Sequence, residues 1–329
     1  MSKIFITGGA GFIGSHLTDL YLTNGYEVVA LDDFSTGRES NIAGAMKNPR
    51  YRMIRGDVRD EALVESLVSE CDLVMHLAAR IGLQVVIESP LETLRSNGRG
   101  TEVVLQSAAA NKKRIIIAST SEVYGLSTKI PSSESGPVAF GSPAVGRWSY
   151  ACSKVYDEFL ALALFREGGL PATVVRLFNT VGARQSGRYG MVLPRLVGQA
   201  LSNEPLTVYG DGTQTRCFCS VHEVVHALRA LAENPASIGE VINLGNPQEI
   251  RIIDLAKRVI EVTQSKSTIT YREFAQVYGE GFEEIMRRVP DIAKAKRLIG
   301  FDPRRSLDDT IREVAEQQQG AASAVSPGR

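Results

Sequence analysis

Cysteine is scarce, charge of either sign is not in excess, and no apolar run reaches membrane length. The four cysteines, Cys71, Cys152, Cys217 and Cys219, are scattered through 329 residues. With no recognisable secretory leader they imply a reduced, cytoplasmic chain. The 37 lysines and arginines balance 37 aspartates and glutamates, so there is no basic footprint for nucleic acid. The missing long apolar run argues against a membrane partner. No internal repeat is seen. A chain of 329 residues outgrows one small core and implies two lobes, or one large sheet with a cap. The segment after Glu316, small, polar and low in complexity, is expected to be a disordered tail.

What is present begins at residue 4. Ile4 to Gly14 read IFITGGAGFIG, a short apolar run that breaks into Gly8, Gly11 and Gly14. Glycines at this spacing let a strand turn tightly into a helix and let the backbone approach a pyrophosphate, while the helix starting near Phe12 aims free N–H groups at the phosphates. Tyr26 to Leu31 form a second apolar strand that ends in Asp32 and Asp33, at about the distance the dinucleotide fingerprint requires. Asp32 should accept hydrogen bonds from the adenosine ribose. A carboxylate there repels a 2′-phosphate, which favours NAD over NADP; Arg38 is the nearby cation that speaks for NADP.

Apolar strands can be placed near 3–7, 26–31, 51–55, 72–77, 113–118 and 172–177, with helices near 12–24, 60–69, 91–110 and 150–167. This is the alternation of an α/β doubly wound parallel sheet, with ligands at the carboxyl ends of the strands. The expected division is an NAD-binding Rossmann domain over 1–178 with a later contribution near 220–245, a substrate lobe mainly over 179–315, and the tail at 316–329. Tyr150 and Lys154 lie four apart on a predicted helix and share a face. Lys154, with the positive nicotinamide, can therefore lower the Tyr150 phenol toward working pH and make it a general base for a sugar hydroxyl. Ser119, Thr120 and Ser121 end a buried strand in a row of hydroxyls, which either join that chemistry or cap the following turn.

Together these residues resemble the extended short-chain dehydrogenase/reductase family of nucleotide-sugar epimerases, dehydratases and decarboxylases, from Lys3 to about Ile311. The resemblance implies that Phe12 and Ile13 in the glycine turn, and Asp33, Phe34, Ser35, Thr36 and Gly37 after the second strand, complete the NAD site. It adds Asp57 and Val58 beside the adenine, Leu77, Ala78 and Ala79 after the fourth strand, and Asn97 in the next helix. Thr120 would hydrogen-bond the sugar O4, Tyr150 would remove its proton, and Lys154 would hold the ribose. Asn179 and Arg216 would contact the substrate diphosphate, with Arg188, Val192, Thr207 and Tyr209 completing the UDP-sugar site.

The phrases STSEVYG, RLFNT, NEPLTVYGDGTQTR, NLGNPQE and RRVPDIAKAK are most similar to those of UDP-glucuronate decarboxylases. There Glu122 and Arg288 stand near the carboxylate-bearing carbon, with Ser121 beside them. The resemblance thus implies transient C4 oxidation followed by decarboxylation. A 4-epimerase would need the same Thr, Tyr, Lys and NAD, and a 4,6-dehydratase would place an Asp where Ser121 stands. Glu122 could instead cap its loop, and Arg288 could be a solvated neighbour of Arg287. A Rossmann scaffold that only senses NAD is the alternative outside enzymes, although such a protein would be free to lose Thr120, Tyr150 and Lys154. His222-Glu-Val-Val-His226 spells the HExxH of zinc proteases, but no third-ligand motif follows and no metal is expected. The helices near 91–110 and 150–167 are the dimer contact in relatives. Leu91, Leu94, Val103, Val104, Leu105, Phe159, Leu160 and Leu164 are candidates for its apolar face, or else face only the chain's own sheet.

Overall fold

In the computed structural model, which describes residues 2–187, 190–279 and 282–325, seven strands form one parallel sheet. They are β1 (Lys3–Thr7), β2 (Glu27–Asp32), β3 (Tyr51–Arg55), β4 (Leu73–His76), β5 (Arg114–Thr120), β6 (Ala172–Leu177) and β7 (Val241–Leu244). Their order is 7-6-5-4-1-2-3, with every neighbouring pair parallel. The longer helices are α1 (Phe12–Thr23), α2 (Glu61–Ser69), α3 (Pro90–Ala110), α4 (Trp148–Gly168), α5 (Val192–Leu201), α6 (Val221–Glu233), α7 (Ile252–Thr263) and α8 (Leu307–Val325). The fold is the expected Rossmann-like α/β sheet. Strand order reverses between β1 and β4, which opens a crevice at their carboxyl ends.

The strands are apolar on both faces because helices cover both. Successive side chains alternate, so Ile4 and Ile6 join one core with Leu17 and Tyr21 of α1 and Leu228 of α6. Phe5, between them, joins the opposite core with Leu67 of α2, Leu105 of α3 and Ala161 of α4. Each such side chain contributes about 1.5–3 kcal/mol on burial. A further core gathers Leu193 and Leu196 of α5, Leu255 and Val259 of α7, and Ile311 and Val314 of α8. No helix among the described residues is long and apolar enough to cross a membrane.

One expectation is corrected and one alternative is resolved residue by residue. The segment after Glu316 continues α8 to Val325. Alanine and glutamine are good helix formers, and Gln317 and Gln318 tie it down by accepting from the Arg184 amide (2.8 Å) and donating to the Pro194 carbonyl (3.0 Å); positions 326–329 lie outside the described residues. Of the apolar face proposed for α3 and α4, Val103, Val104 and Leu105 are buried in the chain's own core, and Leu160 and Leu164 pack against it. Leu91, Leu94 and Phe159 do point outward, joined by Tyr156.

Inside the sheet, Arg176 of β6 grips Glu158 of α4 with two charge-assisted bonds of 2.9 and 2.7 Å, and Ser119 donates to the same carboxylate at 2.5 Å. The paired side chains are only 7% and 6% exposed, so removing one partner strands a buried charge. Glu158→Ala is expected to cost about 3–5 kcal/mol, seen as a lowered denaturant midpoint.

Candidate active site

One cavity of about 430 Å³ runs along the carboxyl ends of the strands. At one end is the glycine turn. Gly8 has φ +72°, and a Cβ there would meet the Ala78 amide nitrogen at 2.9 Å; a Cβ on Gly14 would meet the Gly8 carbonyl oxygen at 2.1 Å. Only a bare backbone fits. Gly11 caps α1 without a side-chain bond, which leaves the first-turn amides for an anion. Asp32 holds the second loop by accepting from Ala10 N (2.9 Å) and Phe34 N (2.8 Å). Burial raises its carboxyl above the ordinary range, and the bonds from Phe34, Ala10 and Gly11 pull it back.

Gly8, Gly11, Phe12, Ile13, Gly14, Asp32, Asp33, Ser35, Thr36, Asp57, Val58, Leu77, Ala78, Ala79 and Asn97 all line this cavity. Phe34 and Gly37 are not among the lining residues. Phe34 lies under the Arg55 guanidinium, 5.3 Å from its ring centre, and Gly37 backs the Asp32 carboxylate.

Farther along, Thr120, Ser121, Glu122, Tyr150 and Lys154 line the same space, as do Asn179, Val192, Tyr209, Arg216 and Arg288. Thr120 caps the short 3-10 turn Ser121–Tyr124 by accepting from Glu122 N (3.2 Å), and it lines the cavity together with Tyr150. The capping reading of the hydroxyl row is thus met at Thr120. Arg288 is buried. It donates to Ser121 Oγ (3.2 Å) and Glu122 Oε1 (2.5 Å), so it is not a solvated neighbour of Arg287, which pairs with Glu249. Burial alone would raise the Glu122 carboxyl, but the charges of Arg288, Arg147 and Arg216 win and hold it at about 2. It is ionised at neutral pH.

Arg216 donates to Glu284 (2.7 Å) and to the Ile285 carbonyl (2.8 Å). Asn179 donates to the Cys217 carbonyl (3.2 Å). Thr207 does not line the cavity; its hydroxyl accepts from Gln199 (3.1 Å), because it stands beside α5. Arg188 lies outside the described residues.

The expected lowering of Tyr150 is not met in the free protein. Burial pushes the phenol above its ordinary range, and the Glu122 charge adds to this; Thr120 pulls down, Asp157 pushes up and Arg288 pulls down. Lys154 is committed elsewhere: its Nζ donates to Asp157 Oδ2 at 3.0 Å.

Sequence reasoning missed Arg147, Arg195, Glu284 and Asp157. Arg147 is buried between Trp148 and Phe282, 5.0 and 4.9 Å from the ring centres, with Glu122 at 3.3 Å. Its signal was its place three residues before Tyr150. Asp157, three residues after Lys154, had the helical spacing of a partner. For Arg195 and Glu284 no local signal existed. In the HExxH segment, His222 pairs with Glu313 (2.8 Å) and Glu223 accepts from the Arg304 and Arg305 amides, while His226 is exposed. Among the described residues no cluster of three His, Cys, Asp or Glu is placed for a metal.

The profile of the GDP-mannose 4,6 dehydratase family matches residues 5–314. A UDP-N-acetyl-alpha-D-glucosaminuronate decarboxylase of Bacillus cytotoxicus is 39% identical over 315 residues, covering 95% of this chain and 97% of that one. UDP-glucuronic acid decarboxylase 1 of Danio rerio is 36% identical, covering 95% of this chain and 72% of that protein. Among solved structures, UDP-glucuronic acid 4-epimerase of Bacillus cereus, in complex with UDP-glucuronic acid and NAD, gives a TM-score of 0.87 at 30% identity and covers 97% of this chain and 99% of that chain. With fold, cavity and matched span in agreement, the chain belongs to the GDP-mannose 4,6-dehydratase family of extended short-chain dehydrogenases/reductases.

Proposed function

We propose that this protein is an NAD-dependent decarboxylase of a UDP-glucuronosyl substrate, acting through transient oxidation at C4. The observation that carries the proposal is the meeting in one cavity of a glycine cradle, the Thr120–Tyr150–Lys154 set, and a carboxylate–arginine pair, Glu122 and Arg288. NAD fits the cradle by the test of the missing Cβ space at Gly8 and Gly14. Gly8 to Gly14, Asp32 and Lys154 would hold it. When bound, it takes a hydride from the sugar and later returns it.

In this reading Tyr150 takes the O4 proton while Thr120 holds O4 in place. A ketone at C4 makes the C5 carboxylate a β-keto acid, and carbon dioxide leaves because the electron pair spreads onto O4, where the Thr120 and Tyr150 hydroxyls stabilise it. Arg288 orients the sugar carboxylate, a solvent water protonates the carbon that has lost it, and Tyr150 gives its proton back to O4 as C4 is re-reduced. Four arginines (Arg147, Arg195, Arg216, Arg288) face two acids (Glu122, Glu284) at this end of the cavity, a balance that suits a diphosphate and a uronate. A division into a cofactor lobe over 1–178 with a later contribution near 220–245, and a sugar-nucleotide lobe mainly over 179–315, is part of the proposal. So is a homodimer through the exposed Leu91, Leu94 and Phe159 of α3 and α4.

The structural likeness to a 4-epimerase favours the second reading, in which the same oxidation is followed by rotation of the keto sugar. The test is NMR of the products from UDP-glucuronate and, separately, its 2-acetamido analogue, with NAD added. A five-carbon pentosyl product supports the proposal; a six-carbon galacto epimer refutes it. For the cofactor, Asp32→Ala should weaken NAD by about 1–3 kcal/mol in calorimetry, through loss of charge-assisted ribose bonds. Tighter binding of NADP than of NAD would contradict the assignment.

A further inference from the structure

Lys154 shares its ammonium with a buried acid that the proposed chemistry does not use. Asp157 is 1% exposed, and its Oδ2 accepts from Lys154 Nζ at 3.0 Å and from the Thr101 hydroxyl at 3.0 Å. Its Oδ1 is buried and has no partner among the described residues.

Behind Thr101 the bonds have one direction. The single Thr101 proton goes to Asp157, so His76 Nε2, 3.0 Å away, must donate to Thr101 Oγ1. His76 Nδ1 then accepts from the Thr7 hydroxyl at 2.7 Å. Thr7 Oγ1 in turn accepts from the Leu77 and Ala78 amides, each at 3.2 Å. Burial and the Lys154 charge hold His76 at about 3, which keeps the ring neutral as this order requires. The chain therefore ties the lysine of α4 to the ends of β1 and β4, where the glycine cradle begins.

We propose that Asp157 is a positioning residue: two helical turns from Tyr150 and bonded to the Lys154 that lies between them, it fixes Lys154 in the cavity through this chain and acts on Tyr150 by way of that lysine. The proposal rests on the reading of Tyr150 as the base. One of the three Lys154 protons goes to Asp157, which leaves two for ribose hydroxyls. The groups facing the tyrosine and lysine are Asp157 and Glu158 on α4, Thr101 on α3, His76 on β4, and Thr120, Glu122 and Arg288 across the cavity. Burial pushes the Asp157 carboxyl above the ordinary range, and the Lys154 charge pulls it back. The negative charge of Asp157 in turn opposes ionisation of Tyr150. A base must lose its proton to act, so the rising limb of rate against pH follows the Tyr150 pKa. Removing the negative charge moves that limb to lower pH.

The test is Asp157→Asn, which keeps the shape and an oxygen for Lys154, with Asp157→Ala as the second variant should the first fail to fold. Thermal unfolding and NAD titration accompany a pH profile of kcat/KM on UDP-glucuronate. The expected result is a folded protein that binds NAD and whose rising limb lies about one pH unit lower, the size a neighbouring unit charge imposes. A purely structural role would lower stability and leave the limb in place. A profile superimposable on that of the unaltered protein overturns the role of Asp157. If Tyr150→Phe retains turnover, the reading of the base has failed instead, and the two failures are told apart.

Discussion

Tyr150→Phe is expected to lower turnover by at least about a hundredfold, the usual worth of a positioned general base, while fold and NAD affinity are kept. The phenol lines the cavity and shares its helix face with Lys154, so its hydroxyl is placed to serve the substrate. Burial and Glu122 hold the phenol above its ordinary range in the free protein, so the positive charge brought by the cofactor is needed for it to act near neutral pH. Steady-state rates on UDP-glucuronate, with NAD titration as the control, check this. Near-normal turnover in the variant would remove Tyr150 from the mechanism.

Arg288→Ala should lower kcat by about 10²–10³, the effect of deleting one preorganised electrostatic group, with little change in NAD binding. Arg288 holds both Ser121 and Glu122 and is itself buried. Its Nε has no partner among the described residues, so the guanidinium has a donor in reserve. Glu122→Gln removes the charge that Arg288 and Arg147 share and should slow decarboxylation in the same way. A group that acts mainly in the transition state lowers kcat more than binding. A raised KM with unchanged kcat in either variant would reassign that residue to substrate affinity.

Much of this was legible because local rules sufficed. Most strands of the first 178 residues are near-continuous apolar runs; β1, β3 and β6 fall at their expected ends, β2 and β4 shift by one residue, and β5 by one and two. The glycine turn and the Tyr–Lys spacing are fixed over a few residues. What was not legible depends on distant pairing. Glu284 meets Arg216 across 68 residues, and nothing local marks that partner; Arg288 and Glu122, which meet across 166, were placed together only by the family resemblance. Thr207 was assigned to the site by its phrase, yet its strand turns that side chain toward Gln199. Polar low complexity after Glu316 read as disorder, whereas its alanines and glutamines extend α8 along the helix already begun at Leu307.

The central claim is that C4 is oxidised and re-reduced while C6 leaves. UDP-glucuronate carrying deuterium at C4 and carbon-13 at C6, incubated with the protein and NAD, tests it most directly. The account predicts labelled carbon dioxide in step with a UDP-pentose that keeps its deuterium at C4. A six-carbon product that retains the carbon-13 label would contradict it.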